Sequence, residues 1–299
     1  MKRFTKGFKT KDSALAFYVN QLENLDKRLY MPLTSVSWGR DIKLRPGISM
    51  GDESTSFIQS MFAAGGTMSN GAGNTGKGNL PWISPETTTI PGVSVDGQKK
   101  TYPLRLLGRE ISFTSVELDR SQRLGTSIDA QKMNALNILY QMNTDQMTYI
   151  GSKDVEAEGL LNSSQVTAST AATGVGGGTT WASKTPDEIL ADVNTLIETT
   201  WEASAFAVCP AKLLLPPAQF SYIASQKVSS AGNVSILKFL EDNSISLKVN
   251  GKALDIQPVK WATGRGVGDA DRMLAYTNEE DRVRFPMVPI RRETAYYSG

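Results

Sequence analysis

With 299 residues, 40% apolar and 21% charged, the chain is long enough to bury one large core or two modest ones. A formal net charge of +2 is too small to make nucleic acid or an anionic membrane surface its main partner. Histidine is absent and Cys209 is the single cysteine, which excludes Ser-His and Cys-His dyads, histidine metal ligands and any intrachain disulfide.

No apolar run reaches the length of a membrane-spanning helix. The opening residues, 1-MKRFTKGFKTKD-12, are basic without an apolar stretch behind them, which predicts a basic N-terminal arm rather than a secretory signal. Over residues 12–29, Leu15, Val19, Leu22, Leu25 and Leu29 form one stripe at helical spacing and predict an amphipathic helix. Strand-like alternation in 35-SVSWGRDIKL-44 and 99-KKTYPLRLLGREISFT-114 predicts two arms of an extended hairpin, joined by a glycine-rich tip.

That tip contains 71-GAGNTGKG-78, a near match to the phosphate-cradling pattern G-x-x-x-x-G-K-[ST]. Gly71, Gly76 and Lys77 fit, but Gly78 stands where a magnesium-binding hydroxyl is required. Pro81, Pro85 and Pro91 follow, so no helix can start behind the loop and lend its amides to an anion. The stretch reads as a flexible loop.

Thr126 as N-cap, with Asp129 three residues on, opens a long helix over 127–150, about 36 Å by the rise per residue. Ile128, Ala135, Leu139, Met142 and Ile150 mark its core stripe, Asn134, Gln141 and Asp145 its polar face, and Gly151 its stop. Asp154, Glu156 and Glu158 crowd the next turn, but their spacing does not follow the calcium-loop rule and predicts a solvated turn. Residues 165–184 are rich in Gly, Ser, Thr and Ala; the glycines at 174 and 176–178 have no helix start close behind them and predict a surface excursion.

A capping box at 185-TPDE-188 opens a second clear helix with Ile189, Leu190, Val193, Leu196, Ile197 and Trp201 facing inward. From there to about residue 275 the pattern is a compact α/β unit. It has a buried strand over 205–215 that contains Cys209, a helix from Pro217, a short helix over 236–242 after Ser235, and strands over 253–261 and 272–277. The glycines of 264-GRGVGD-269 match only a fragment of a dinucleotide fingerprint. The tail, 281–298, alternates like a strand; Arg282, Arg284, Arg291 and Arg292 read as surface or subunit-contact charges rather than a nucleic-acid patch.

Taken in order, a basic arm with a helix, a hairpin with a glycine-rich tip, one long helix, an α/β block and a returning strand resemble the major capsid proteins of tailed bacteriophages, of the Hong Kong 97-type fold. At residue level the resemblance rests on 113-FTSVELDRSQRLGTSIDAQKMNAL-136, 147-MTYIGSKDVEAEGLLN-162, 185-TPDEILADVNTLI-197, 213-LLLPPAQFSYIA-224 and 272-RMLAYTNEEDRVRFPMVPI-290.

The resemblance implies an α+β fold. Residues 1–34 would be an N-terminal arm with its helix and 35–112 an extended loop with its base. Residues 113–184 would be a peripheral domain with a spine helix over 127–150, 185–275 an axial domain, and 276–299 a closing strand returning to the peripheral domain. It further implies a major capsid protein of the virion, assembled in the host bacterial cytoplasm into an icosahedral head shell around double-stranded DNA. Its partners would be itself, as pentamers and hexamers, with a portal, a decoration protein and packaged DNA bound without sequence specificity. Some relatives carry a cleaved scaffolding segment before the arm, whereas this sequence starts almost directly with the arm helix, so the resemblance implies a separate scaffolding protein. No catalytic residue, cofactor, metal or membrane is implied. Some relatives cross-link a loop lysine to a neighbour's asparagine; Lys77 and Lys99 are at hand, but no partner site is legible and that chemistry is not carried over. The alternatives are an encapsulin-like nanocompartment shell, a P-loop enzyme using Lys77, and a hydrolase using Asp154, Glu156 or Glu158.

Overall fold

A computed structural model describes residues 33–64, 68–69, 85, 93–124, 128–229 and 232–291. The predicted arm helix, the glycine-rich tip with Lys77, the Thr126 cap and Arg292 lie outside the described residues. The chain divides into residues 1–35, of which 33–35 carry no regular element, and residues 36–299, which hold everything below.

The capping box at Thr185 forms as written: its hydroxyl accepts from the Glu188 amide while the Glu188 carboxylate accepts from the Thr185 amide, with Pro186 in the first turn. The resulting helix spans Pro186–Ala203 and buries Ile189, Val193 and Ile197. It packs on a sheet centred on the strand Lys212–Leu215, all of whose residues are buried. This central strand pairs in parallel with Asp255–Pro258 and antiparallel with Leu274–Tyr276. Helices Pro217–Ser225, Ile236–Asn243 and Ile245–Asn250 form the crossover between the two parallel strands.

Strand alternation divides the work of the central strand. Leu213 and Leu215 enter a core with Ile197, Ile223, Leu240 and Leu254. Leu214 enters a second cluster with Tyr149, Leu161, Val259, Leu274 and Tyr276. Helix Ile245–Asn250 was not anticipated; Ser244 caps it and Gly251, at φ +69°, ends it in the left-handed region.

The long helix spans Ile128–Tyr149, and its faces differ from those the spacing predicts. Its expected core stripe is open, with Leu139 40% and Met142 38% exposed, whereas Asp145 of the expected polar face is fully buried. The chain then folds back in a two-residue ribbon, Gly151–Ser152 against Ala157–Glu158. A Cβ on Gly151 would lie 2.0 Å from the Ala157 carbonyl oxygen, so only glycine admits this close return.

The hairpin exists, with its arms displaced. Strands Ser54–Ala64 and Val93–Pro103 pair antiparallel from Ser54↔Pro103 to Ala64↔Val93, and Met68–Ser69 adds a short third strand. Residues 35–44 do not form the first arm. Trp38–Asp41 is a one-turn helix and Lys43–Arg45 a short strand that pairs in parallel with Arg284–Pro286 of the tail. The second arm stops at Pro103; residues 104–114 carry no regular element, and an unanticipated helix runs from Ser115 to Leu124. Thr114 and Glu117 form its capping box, by bonds from the Glu117 amide to the Thr114 hydroxyl and from the Thr114 amide to the Glu117 carboxylate.

Candidate functional site

The one-turn helix Trp38–Asp41 has no side-chain cap of its own at Ser37. The cap comes from the long helix. Asp145 Oδ1 accepts from the Ser37 and Trp38 amides at 2.8 and 3.0 Å, and its Oδ2 accepts from Trp261 Nε1 at 2.6 Å with Lys260 Nζ at 3.3 Å. A carboxylate at the start of a helix meets amides that lack an intrahelical acceptor, so the arrangement is favourable although Asp145 lies more than a hundred residues away. Gln141, one turn earlier, accepts from Trp38 Nε1.

The other end of the short helix is held as firmly. Sheet register puts Asp255, Lys212 and Tyr276 in one row across three strands, and Lys212 and Tyr276 reach the Asp41 segment. Lys212 Nζ lies 3.0 Å from Asp41 Oδ1 and 3.1 Å from Asp255 Oδ2, and donates to the Arg40 carbonyl. Tyr276 donates to the Asp41 carbonyl and Tyr149 to the Asp41 carboxylate. Arg40 grips both Asp41 oxygens at 2.7 Å and extends to Gln257 and the Pro258 carbonyl.

Burial works against the Asp41 charge, but the hydrogen bonds from Arg40, Tyr149 and Lys212 outweigh it and hold the carboxyl below its usual range. Burial, followed by the bond to Asp41, pushes the Tyr149 phenol up. Burial and the Asp41 charge do the same to Tyr276. These shifts keep the Asp41 carboxyl ionised and both phenols protonated at neutral pH.

The strand that follows, Lys43–Arg45, carries the base of the hairpin. Arg45 donates to the Thr55 hydroxyl and the Ser56 carbonyl, Arg284 lies over the Phe57 ring at 5.9 Å, and Phe57 stacks on Tyr102. These contacts gather on one face. The opposite face presents Ile58, 71% exposed, and Val95, 64% exposed, among Ser56, Ser60, Lys99 and Thr101. Apolar side chains thus stand uncovered on both elements, Ile58 and Val95 on the hairpin and Leu139 and Met142 on the long helix.

The residues weighed for chemistry do not converge. Asp154, Glu156 and Glu158 are exposed in the turn after the long helix; Glu158 accepts from the Ser164 amide and hydroxyl, which lowers its pKa. Among the described residues no cluster of acidic or cysteine side chains could hold a metal. The amides of Gly174 and Gly177 are taken by the loop's own carbonyls and that of Val175 by Glu188. The 264–269 turn is closed by Asp271 and the Ala270 carbonyl. Cys209 is buried, which pushes its thiol up and away from reactivity. Lys99 and Arg291 are exposed, and the Arg282 side chain pairs with its neighbour Asp281. The cluster around Asp41 and Asp145 was missed in the sequence; its one signal was a lysine, Lys212, opening a run of three leucines in a buried strand.

A family profile described as "Major capsid protein" matches residues 78–299. Curated proteins yield no match. Among solved structures, the capsid of Myoviridae phage XM1 is similar with a TM-score of 0.65 at 18% identity, over 87% of this chain and 81% of that one. At that identity the likeness concerns the fold, a mixed α+β arrangement shared with a phage capsid protein.

Proposed function

The chain belongs to the major capsid protein family, and from that premise we propose a subunit that self-assembles, in the Hong Kong 97 manner, into the icosahedral head shell of a tailed double-stranded DNA bacteriophage. Its role is structural, and the protein is not an enzyme. The profile match over most of the chain carries the shell assignment, and the likeness to the phage XM1 capsid supports the fold.

Within that reading, residues 1–34 act as an arm, 35–112 as an extended loop with its base, and 113–184 as the peripheral domain with its spine helix. Residues 185–275 act as the axial domain and 276–299 as the closing strand. The observation that supports this division best is the hairpin Ser54–Ala64/Val93–Pro103, braced on one face and presenting Ile58 and Val95 uncovered on the other. A two-stranded ribbon is marginal alone in water, and a neighbouring copy supplies the missing cover. Each Ile- or Val-sized side chain buried there contributes roughly 1.5–3 kcal/mol. Symmetry repeats that gain at every contact of a closed shell. A separate scaffolding protein, a portal, a decoration protein and DNA on the inner face complete the expected partners.

Sedimentation velocity and negative-stain imaging of purified subunits test the proposal. Pentamers, hexamers or closed particles are expected, with Ile58→Asp/Val95→Asp lowering assembly while leaving the far-ultraviolet spectrum and melting of the free subunit unchanged. A chain that stays monomeric at every concentration, or a double variant that assembles as wild type does, would refute it. Particles that copurify with an enzyme instead of a genome would point to a nanocompartment shell.

A further inference from the structure

The segment 37–42 is joined to the rest of the protein mainly by hydrogen bonds and ion pairs. Its amides rest on Asp145, its carboxylate on Lys212 and Tyr149, its Arg40 guanidinium on Gln257 and the Pro258 carbonyl, and a carbonyl on Tyr276. Ile42 is buried, but neither it nor any other residue of the segment belongs to the core formed by Ile197, Leu213, Leu215 and Leu240, and Trp38 only flanks the second cluster. Detaching it exposes Ile42 and uncovers Tyr149 and Tyr276 at the edge of the second cluster, but leaves the cluster around Ile197, Leu213, Leu215 and Leu240 covered. Detachment also returns water to Asp145, Asp41 and Lys212, which offsets part of the lost attraction, because burying ions is itself costly. An apolar plug of the same size would receive no such return.

We infer that residues 37–42 form a discrete latch, closed by Asp145 as its positioning residue, that opens as a unit while the α/β sheet stays folded. Strand Lys43–Arg45 starts one residue later and holds Thr55 and Ser56 at the hairpin base through Arg45. An open latch frees that strand from Arg284–Pro286 and removes the brace beneath the hairpin. The consequence for assembly rests on the shell reading; the latch itself does not.

Native-state hydrogen exchange by mass spectrometry, on dissociated wild-type subunits, provides the test. The segment 37–45 should exchange at least about ten-fold faster than the central strand 213–215, with a much weaker dependence on added urea, as a local opening requires. Asp145→Asn should speed exchange of 37–45 by roughly a further ten-fold and leave 213–215 unchanged. Equal rates and equal urea slopes for the two segments in wild type would overturn the latch. Unchanged exchange in a folded Asp145→Asn protein would overturn the role of Asp145. Should that variant fail to fold, the wild-type urea slopes decide the matter alone. Because the reading is made on isolated subunits, it stands apart from whether particles form.

Discussion

Removing one partner of the Lys184–Asp192 pair should cost the subunit a large part of its stability, and removing both should cost less. The two side chains are 1% and 4% exposed and meet at 2.5 Å, and Asp192 also accepts from Trp181 Nε1 at 3.1 Å. Lys184→Met leaves the Asp192 charge buried with only the indole as donor, and such a loss costs about 3–5 kcal/mol. Asp192→Leu strands the ammonium in the same way and orphans the indole N–H, adding about 1–3 kcal/mol. In Lys184→Met/Asp192→Leu no unpaired ion remains, so only the indole cost persists, about 1–3 kcal/mol below wild type. The expected coupling between the sites is thus several kcal/mol, well above the few tenths seen for independent positions. Urea denaturation of unassembled subunits, followed by tryptophan fluorescence, measures all four proteins. Additive single costs, or a Lys184→Met variant within about 1 kcal/mol of wild type, would refute the reasoning.

Other outcomes follow from the same structure. Asp41 is depressed below its ordinary value of 3.8, so the unfolded carboxyl binds its proton at higher pH than the folded one. Its contribution is full above that value and disappears as pH falls through the lower folded pKa. The stability gap between wild type and Asp41→Asn should therefore be constant near neutrality and shrink below about pH 4, and a gap unchanged through strong acid would contradict this. Gly151→Ala places a Cβ 2.0 Å from a backbone oxygen at φ +75°, so it should cost more than about 2 kcal/mol, read as a lower melting temperature. Leu240→Ala, at a fully buried site of the main core, should cost about 2–5 kcal/mol by urea denaturation.

The residues show where local chemistry suffices. Thr185 and Glu188 cap a helix with bonds spanning only three residues, so the four letters alone announce it. Thr114 and Glu117 use the same grammar over the same three-residue span, at the head of a helix the sequence analysis did not anticipate. Periodicity located the long helix and misjudged its faces. An apolar stripe says that something covers it and not whether the cover is the same chain. Leu139 and Met142 are left open within one subunit, while Asp145 is buried because two amides and an indole N–H from remote segments meet it there.

Residues 35–44 failed as a strand for a related reason. Their fold depends on a cap lent by another helix and on a row of three side chains aligned by sheet register.

By itself the amino-acid order determined what neighbours along the chain can settle: the caps, the buried leucine run, the absence of histidine chemistry, and the succession of parts that resembles a shell subunit. Only the tertiary structure decided which carboxylates go inside, where the hairpin begins and which apolar faces stay uncovered. The reason is that a buried charge is tolerable only where several distant donors converge on it, and that convergence exists in three dimensions and in no stretch of sequence.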